Sequence, residues 1–295
     1  MIKLLKSLLV ALLVPVCSYA AGWDVEEYKR IEQSIQQPKL SEKVYAITSY
    51  GAKTTASAAQ NQKAINRAIS LASKKGGKVV IPAGTWNTGA IELKSGVNLV
   101  IEEGATLRFA FEPKLYPLVR TSWEGLACWN YSPCIYAYQA KDIAITGKGT
   151  IDGGGNNDTW WQWNGNPRFG FKAGVTTESQ KLGSRSKLLK QAEDGVAFDE
   201  RKFGMGQGLR PQLINFVRSE RILIKDVKMI NSPFWVIHPL LCKNITVDGV
   251  YIWNEGPNGD GCDPEACENV LIQNCIFHTG DDCIAIKSGR NNDGR

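Results

Sequence analysis

Three segments repeat one pattern at intervals of 23 and 25 residues, and this period limits the possible folds more than any other feature of the chain. Segments 221–229, 244–252 and 269–277 begin with Arg221, Asn244 and Asn269. Each continues with an apolar-x-apolar triplet, passes two turn residues and ends in a second such triplet. Weaker copies start at Asn98 and Asp142, 44 residues apart, about two periods. Short alternating strands with turn residues between them, repeated at fixed length, predict a solenoid. One triplet cannot bury its inward side chains alone, so stacking must supply the core. A leucine-rich repeat has a comparable period but needs leucines at fixed offsets, whereas the inward positions here mix Ile, Val, Leu and Cys. The predicted fold class is all-β, a right-handed parallel β-helix.

A helix is predicted over 58–75, with Ala64, Ile65, Ala68, Ile69 and Ala72 on one face and Gly76-Gly77 ending it. It is the expected N-terminal cap of the solenoid, which needs its open end covered. The first rung then starts near Lys78. Between about 153 and 218 the repeat is lost, which predicts an insertion beside the coil. It holds Trp160, Trp161, Trp163 and a charged, helix-like piece over 178–191. Packing of these tryptophans onto the coil is favoured over stacking on sugar rings.

Residues 1–20 read as a secretory signal: Lys3 and Lys6, a short apolar run, and a Ser18-Tyr19-Ala20 cleavage site. A lipoprotein reading on Cys17 is disfavoured by the Val-Pro-Val before it. The expected location is secreted or periplasmic, with 21–44 an N-terminal extension and 45–295 a single domain. The apolar run is too short to span a bilayer. Without Lys3 and Lys6 the formal net charge of +6 falls to +4. That mild excess suits a polyanionic partner, and no dense basic run argues for nucleic acid. A monomer is expected. Of eight cysteines, seven remain after cleavage, so at least one is free or paired between chains. Cys242 and Cys267, 25 residues apart at the same point of the repeat, are expected to stack inside the coil. His238 and His278 are the only histidines and no zinc spacing occurs, so neither metal nor cofactor is expected.

The acids follow the period. Asp260 and Asp282 are 22 residues apart, which places them on neighbouring rungs, and Asp281 adjoins the second. Carboxylates gathered in one exposed groove are what hydrolysis of a sugar–sugar bond requires. Adjacent residues of a regular strand face opposite ways, so Asp281 and Asp282 must leave the strand. Gly280 is expected to permit an unusual backbone there. By itself, Asn258-Gly-Asp260-Gly-Cys-Asp263 has a faint calcium-loop look. The register of the repeat favours catalysis. His238 is expected to satisfy a local hydrogen bond, and Asp263 to be structural.

Asn258-x-Asp260-Gly261 followed by Gly280-Asp281-Asp282 resembles the polygalacturonases, glycoside hydrolase family 28. Ser232-Pro-Phe-Trp235, Ile237-His-Pro239, Ala285-Ile-Lys-Ser-Gly289 and Tyr50-Gly-Ala-Lys53 add to the resemblance, which runs from about Tyr45 to Arg295. Segments 131–136 and 145–153 look like the bacterial, exo-acting branch. The resemblance implies a pectin-lyase-like β-helix that hydrolyses α-1,4-linked galacturonan in pectin with inversion. Asp281 would be the general acid, and Asp260 and Asp282 would hold and activate water. Asn258 would hydrogen-bond within the site. Lys287 and Arg290 are candidates for pairing with a galacturonate carboxylate, against a reading as solvated charge. Inversion asks for carboxyls roughly 6.5–9.5 Å apart, and two neighbouring acids would raise the pKa of Asp281. The family usually has Thr where Gly259 stands. It also places a Gly-His-Gly loop and an Arg-Ile-Lys motif downstream, and neither occurs in this sequence. The chain is therefore expected to be incomplete at its C-terminal end and poorly active. Two other functions remain open: a pectate lyase on the same scaffold, and a non-catalytic β-helix that binds acidic polysaccharide.

Overall fold

The polar residue that opens each repeat has a backbone cause. Asp142, Arg221, Asn244 and Asn269 all sit in the left-handed region, with φ between 55° and 58°. Gly, Asn and Asp tolerate that region best. Asp226, Gly249 and Asn274 mark the next corner in the same way. Gln139, Arg218, Leu241 and Ala266 lie three residues before the openers, on the opening corner itself, and Asn231 and Asn258 are left-handed in the remaining connection. The strands between these connections form three faces. The computed structural model describes residues 25–178 and 183–295, so the predicted signal segment lies outside the described residues.

Each face is a parallel sheet. The first has seven strands: Val44–Ala46, Gly77–Ile81, Val97–Ile101, Lys141–Gly147, Glu220–Lys225, Lys243–Asp248 and Glu268–Gln273. The second has six, from Gly84–Thr88 to Ile276–Thr279. The third comprises Ile91–Glu92, Ile135–Tyr138, Ile214–Val217 and Ile237–Leu240. Like side chains stack through the interior. Val79, Leu99, Ile145, Ile224, Val247 and Ile272 form one column, and Trp86, Leu107, Ile151, Met229, Ile252 and Phe277 another. Cys242 packs in the same core with Cys267 against it, and all seven described cysteines are free.

The helix Ala58–Ala72 caps the first winding. Ser57 and Gln60 form a capping box, and the five residues predicted for its inner face are buried. Residues 35–43 run along the first sheet, where Gln37 bonds Thr246 at 2.8 Å and the Lys39 N–H bonds Asp142 at 2.9 Å. They thus belong to the compact unit Ile35–Arg295, whereas the helix Val25–Ser34 falls in a separate one.

Two features depart from the sequence reading. Strands Val97–Ile101 and Lys141–Gly147 pair directly, so they are one winding apart rather than two. The extra length is an antiparallel hairpin, Leu118–Trp123 with Leu126–Tyr131, which leaves the coil. The insertion after Asp152 also ends earlier than expected, because Ile214–Val217 already belongs to the third sheet. Its helix is Ser184–Glu193. Trp160 and Trp163 are buried edge to face, 5.1 Å between centroids, against Phe111, Tyr116 and Tyr131.

Candidate active site

After Tyr251–Asn254 the chain turns through 255–261 and rejoins the third sheet at Cys262, which bridges Ile237 below and Ile284 above. The next winding makes the same turn after Ile276–Thr279, and Asp281 and Asp282 fall in it. Val236 N–H donates to Asp260 O at 2.8 Å, and Gly261 N–H to Asp282 O at 2.9 Å. Trp235, Asp260 and Asp282 therefore occupy the same point on consecutive windings. Asp260, Asp281 and Asp282 each bring one carboxylate oxygen within 4.8 Å of the other two. Asp260 is only 4% exposed, whereas Asp281 and Asp282 face solvent. Asp260 and Asp281 line a groove of about 480 Å³ with Trp235, Asn258 and Lys287. Among the described residues these three acids are also the one group close enough to share a cation.

The paired acids do leave the strand, but the reason for Gly280 is space. Its φ is not left-handed, and a Cβ there would lie 2.9 Å from Glu255 O. Gly259 is equally confined: a Cβ at that position would meet Gly256 O at 2.7 Å, so Thr would not fit without a shift. The carboxyl spacing is also shorter than the sequence reading asked for: the nearest oxygens lie within 4.8 Å of one another, below the usual inverting range.

Lys287 and Arg290 are not free cations. Lys287 Nζ lies 3.3 Å from Asp260 Oδ2 and 3.8 Å from Asp263 Oδ1, 4.3 Å above the Trp235 ring. Arg290 Nη1 donates to Glu124 Oε2 at 3.0 Å. Burial raises the Asp260 pKa, Lys287 opposes it and Asp281 adds to it, for a net upward shift. Asp263 is fully buried and neither of its oxygens accepts a hydrogen bond. Burial first, then the charge of Asp260, pushes its pKa up to about 8. His238 is buried and its Nε2 lies 2.8 Å from Glu265 Oε2, which also accepts the Ser122 hydroxyl at 2.8 Å. Burial opposes charge on Glu265, but these two contacts outweigh it and leave the pKa lowered.

Asn258 does bond within the site, through a residue the sequence did not single out. Arg210, from the insertion, is fully buried and donates to Asn258 Oδ1 at 2.8 Å, Pro257 O at 2.6 Å and Pro233 O at 2.8 Å. Both carboxylate oxygens of Glu178 take its remaining bonds. Burial raises the Glu178 pKa against the pull of Arg210. Trp161 supports the same turn, its Nε1 donating to Ser232 O at 2.9 Å and its ring lying against Gly256. These residues lie where the repeat is lost, so the sequence offered no register to place them.

Residues 196–293 match the family model described as glycosyl hydrolases family 28. A probable polygalacturonase from Vitis vinifera is 31% identical over 241 residues, which cover 78% of this chain and 41% of that protein. An exo-poly-alpha-D-galacturonosidase from Dickeya chrysanthemi is 28% identical over 275 residues, 86% of this chain and 43% of that one. The crystal structure of a hyperthermoactive exopolygalacturonase from Thermotoga maritima is similar with a TM-score of 0.85 and 39% identity, over 90% of this chain and 60% of that one. The chain spans about two fifths of the length of the two curated relatives.

Proposed function

We propose that this chain, like the glycosyl hydrolases of family 28 whose model its residues 196–293 match, hydrolyses α-1,4-galacturonosyl linkages of polygalacturonate. The observation that carries the reading is the stacking of Asp260 and Asp282 on consecutive windings, with Asp281 beside them in an open groove. Asp281 donates its proton to the glycosidic oxygen as the C–O bond breaks. Asp260 and Asp282 hold a water between them and accept its proton as its oxygen attacks the anomeric carbon from the opposite face. The products are two sugar hydroxyls, and the proton taken from water restores Asp281 through exchange with solvent. Inversion follows from attack opposite the leaving group, and because Asp281 and Asp282 are exposed, rotation of their side chains sets the working separation. The partner is thus an acidic polysaccharide met outside the cytoplasm, by a monomer exported through residues 1–20. No helix among the described residues is long and apolar enough to cross a membrane.

Incubation with polygalacturonate should release reducing ends, and NMR should find the first-formed anomer inverted. Asp281→Asn should slow release about 10²–10⁴-fold with the circular dichroism unchanged. Unsaturated, ultraviolet-absorbing products would instead mean elimination, and a first-formed anomer of retained configuration would overturn the direct attack of water.

A further inference from the structure

Three parts of the chain, distant in sequence, meet at Glu124. It stands at the tip of the Leu118–Tyr131 hairpin with φ at 44°. Arg185 comes from the first turn of the insertion helix Ser184–Glu193, and Arg290 from the segment after the paired acids. Arg185 Nε donates to Glu124 Oε2 at 2.7 Å, and Arg290 Nη1 donates to that same oxygen at 3.0 Å. The Arg290 backbone N–H is tied to Gly125 O at 2.9 Å, which fixes its approach. Among the described residues Glu124 is the only acid within ion-pair distance of either arginine. Two cations share one anion, so the cluster keeps a net positive charge.

Its position gives that charge a use. Glu124 and Asn258 line both the groove holding Asp260 and Asp281, about 480 Å³, and an adjoining hollow of about 350 Å³ reached by Arg185. Arg290 itself lines the groove with Asp260 and Asp281, so a sugar chain lying across the acids runs beside the cluster. A guanidinium presents a planar fork of donors matched to a carboxylate, and each arginine here is seen to use a single N–H on Glu124.

We propose that Arg185 and Arg290 form the subsite for the carboxylate of the uronate ring next to the scissile linkage, with Glu124 holding the two guanidiniums in place. The assignment rests on the hydrolysis proposed above. An arriving carboxylate brings the cluster to two cations and two anions. Glu124 is then both organiser and competitor, and its removal should help an anionic ligand rather than harm it. A methyl-esterified ring gains nothing from the cluster.

The test is calorimetric binding of trigalacturonate, in an Asp281→Asn background so that the oligomer is not consumed. Arg185→Gln should weaken binding about 10- to 100-fold, the loss of a hydrogen bond to a charged group. Arg185→Lys should recover part of it, and Glu124→Gln should bind as tightly as the background or more tightly. Fully methyl-esterified trigalacturonide should bind all four proteins alike. Unchanged affinity in Arg185→Gln, or an equal loss for acid and ester, overturns the subsite. If the wild-type chain still releases reducing ends, the proposed reaction survives that result. A chain that neither binds nor cleaves the oligomer overturns both.

Discussion

Asp263 is sealed inside the protein with neither oxygen hydrogen-bonded, and its pKa stands at about 8. An unfolded aspartate titrates near about 3.9. Between these values the folded protein binds more protons than the unfolded chain, so stability is greatest below the lower one and falls until the upper is passed. Urea midpoints should therefore decline between about pH 4 and about pH 8, and Asp263→Asn should flatten that decline relative to wild type. Arg210 gives a second residue-level expectation. Arg210→Leu leaves Glu178 buried without its partner and should cost about 3–5 kcal/mol in chemical unfolding at neutral pH. Arg210→Lys should rescue little, because a point charge cannot reach the carbonyls of Pro233 and Pro257 together with Asn258. Replacing both members, Arg210→Leu with Glu178→Leu, should recover much of the loss. The acids were legible in the sequence because the period of the coil states which residues stack. Arg210, Glu124 and Arg185 were not, since each comes from a segment that has left the coil.

The corners are the elements that fix the winding. Asn244 holds φ at 58°, and its side chain accepts a hydrogen bond from Asn269 at 3.1 Å on the next rung. Asn244→Gly should lower the thermal midpoint only slightly, since it forfeits that bond but fits the backbone. Asn244→Val should add about 1–2 kcal/mol of left-handed strain, and a larger fall in the midpoint would show it. The same corners explain a misreading. By its polar residue the early copy starts at Asn98, yet its left-handed residue is Gly96, two positions before. A search for a polar start misses a glycine that serves the same end. The hairpin escaped notice for another reason: its inner half is buried between the coil and the insertion helix, so Ser122, Trp123 and Tyr131 show no clean alternation.

As a molecule, the coil is a column in which each winding is held by its neighbours. Glu268–Gln273 stands at the edge of the first sheet, and beside it Ile276 and Ile286 are exposed, the latter 87%. Amide hydrogen exchange should therefore be fastest in Glu268–Thr279 and slowest in Lys141–Gly147 and Glu220–Lys225, which are paired on both sides. Equal protection across these strands would contradict a rung-by-rung account. The column's overall form was readable from period and composition, whereas its side structures, which contribute the residues around the groove, obey no period. Because Asp282 rides directly on Asp260, the stretch of chain between them acts as a ruler. One residue gained or lost within its strands would turn every later side chain to the other face, hiding acids and exposing cysteines. The insertion can lengthen or shrink without consequence for that alignment. Related sequences should thus vary more in length within the insertion after Asp152 than between positions 260 and 282.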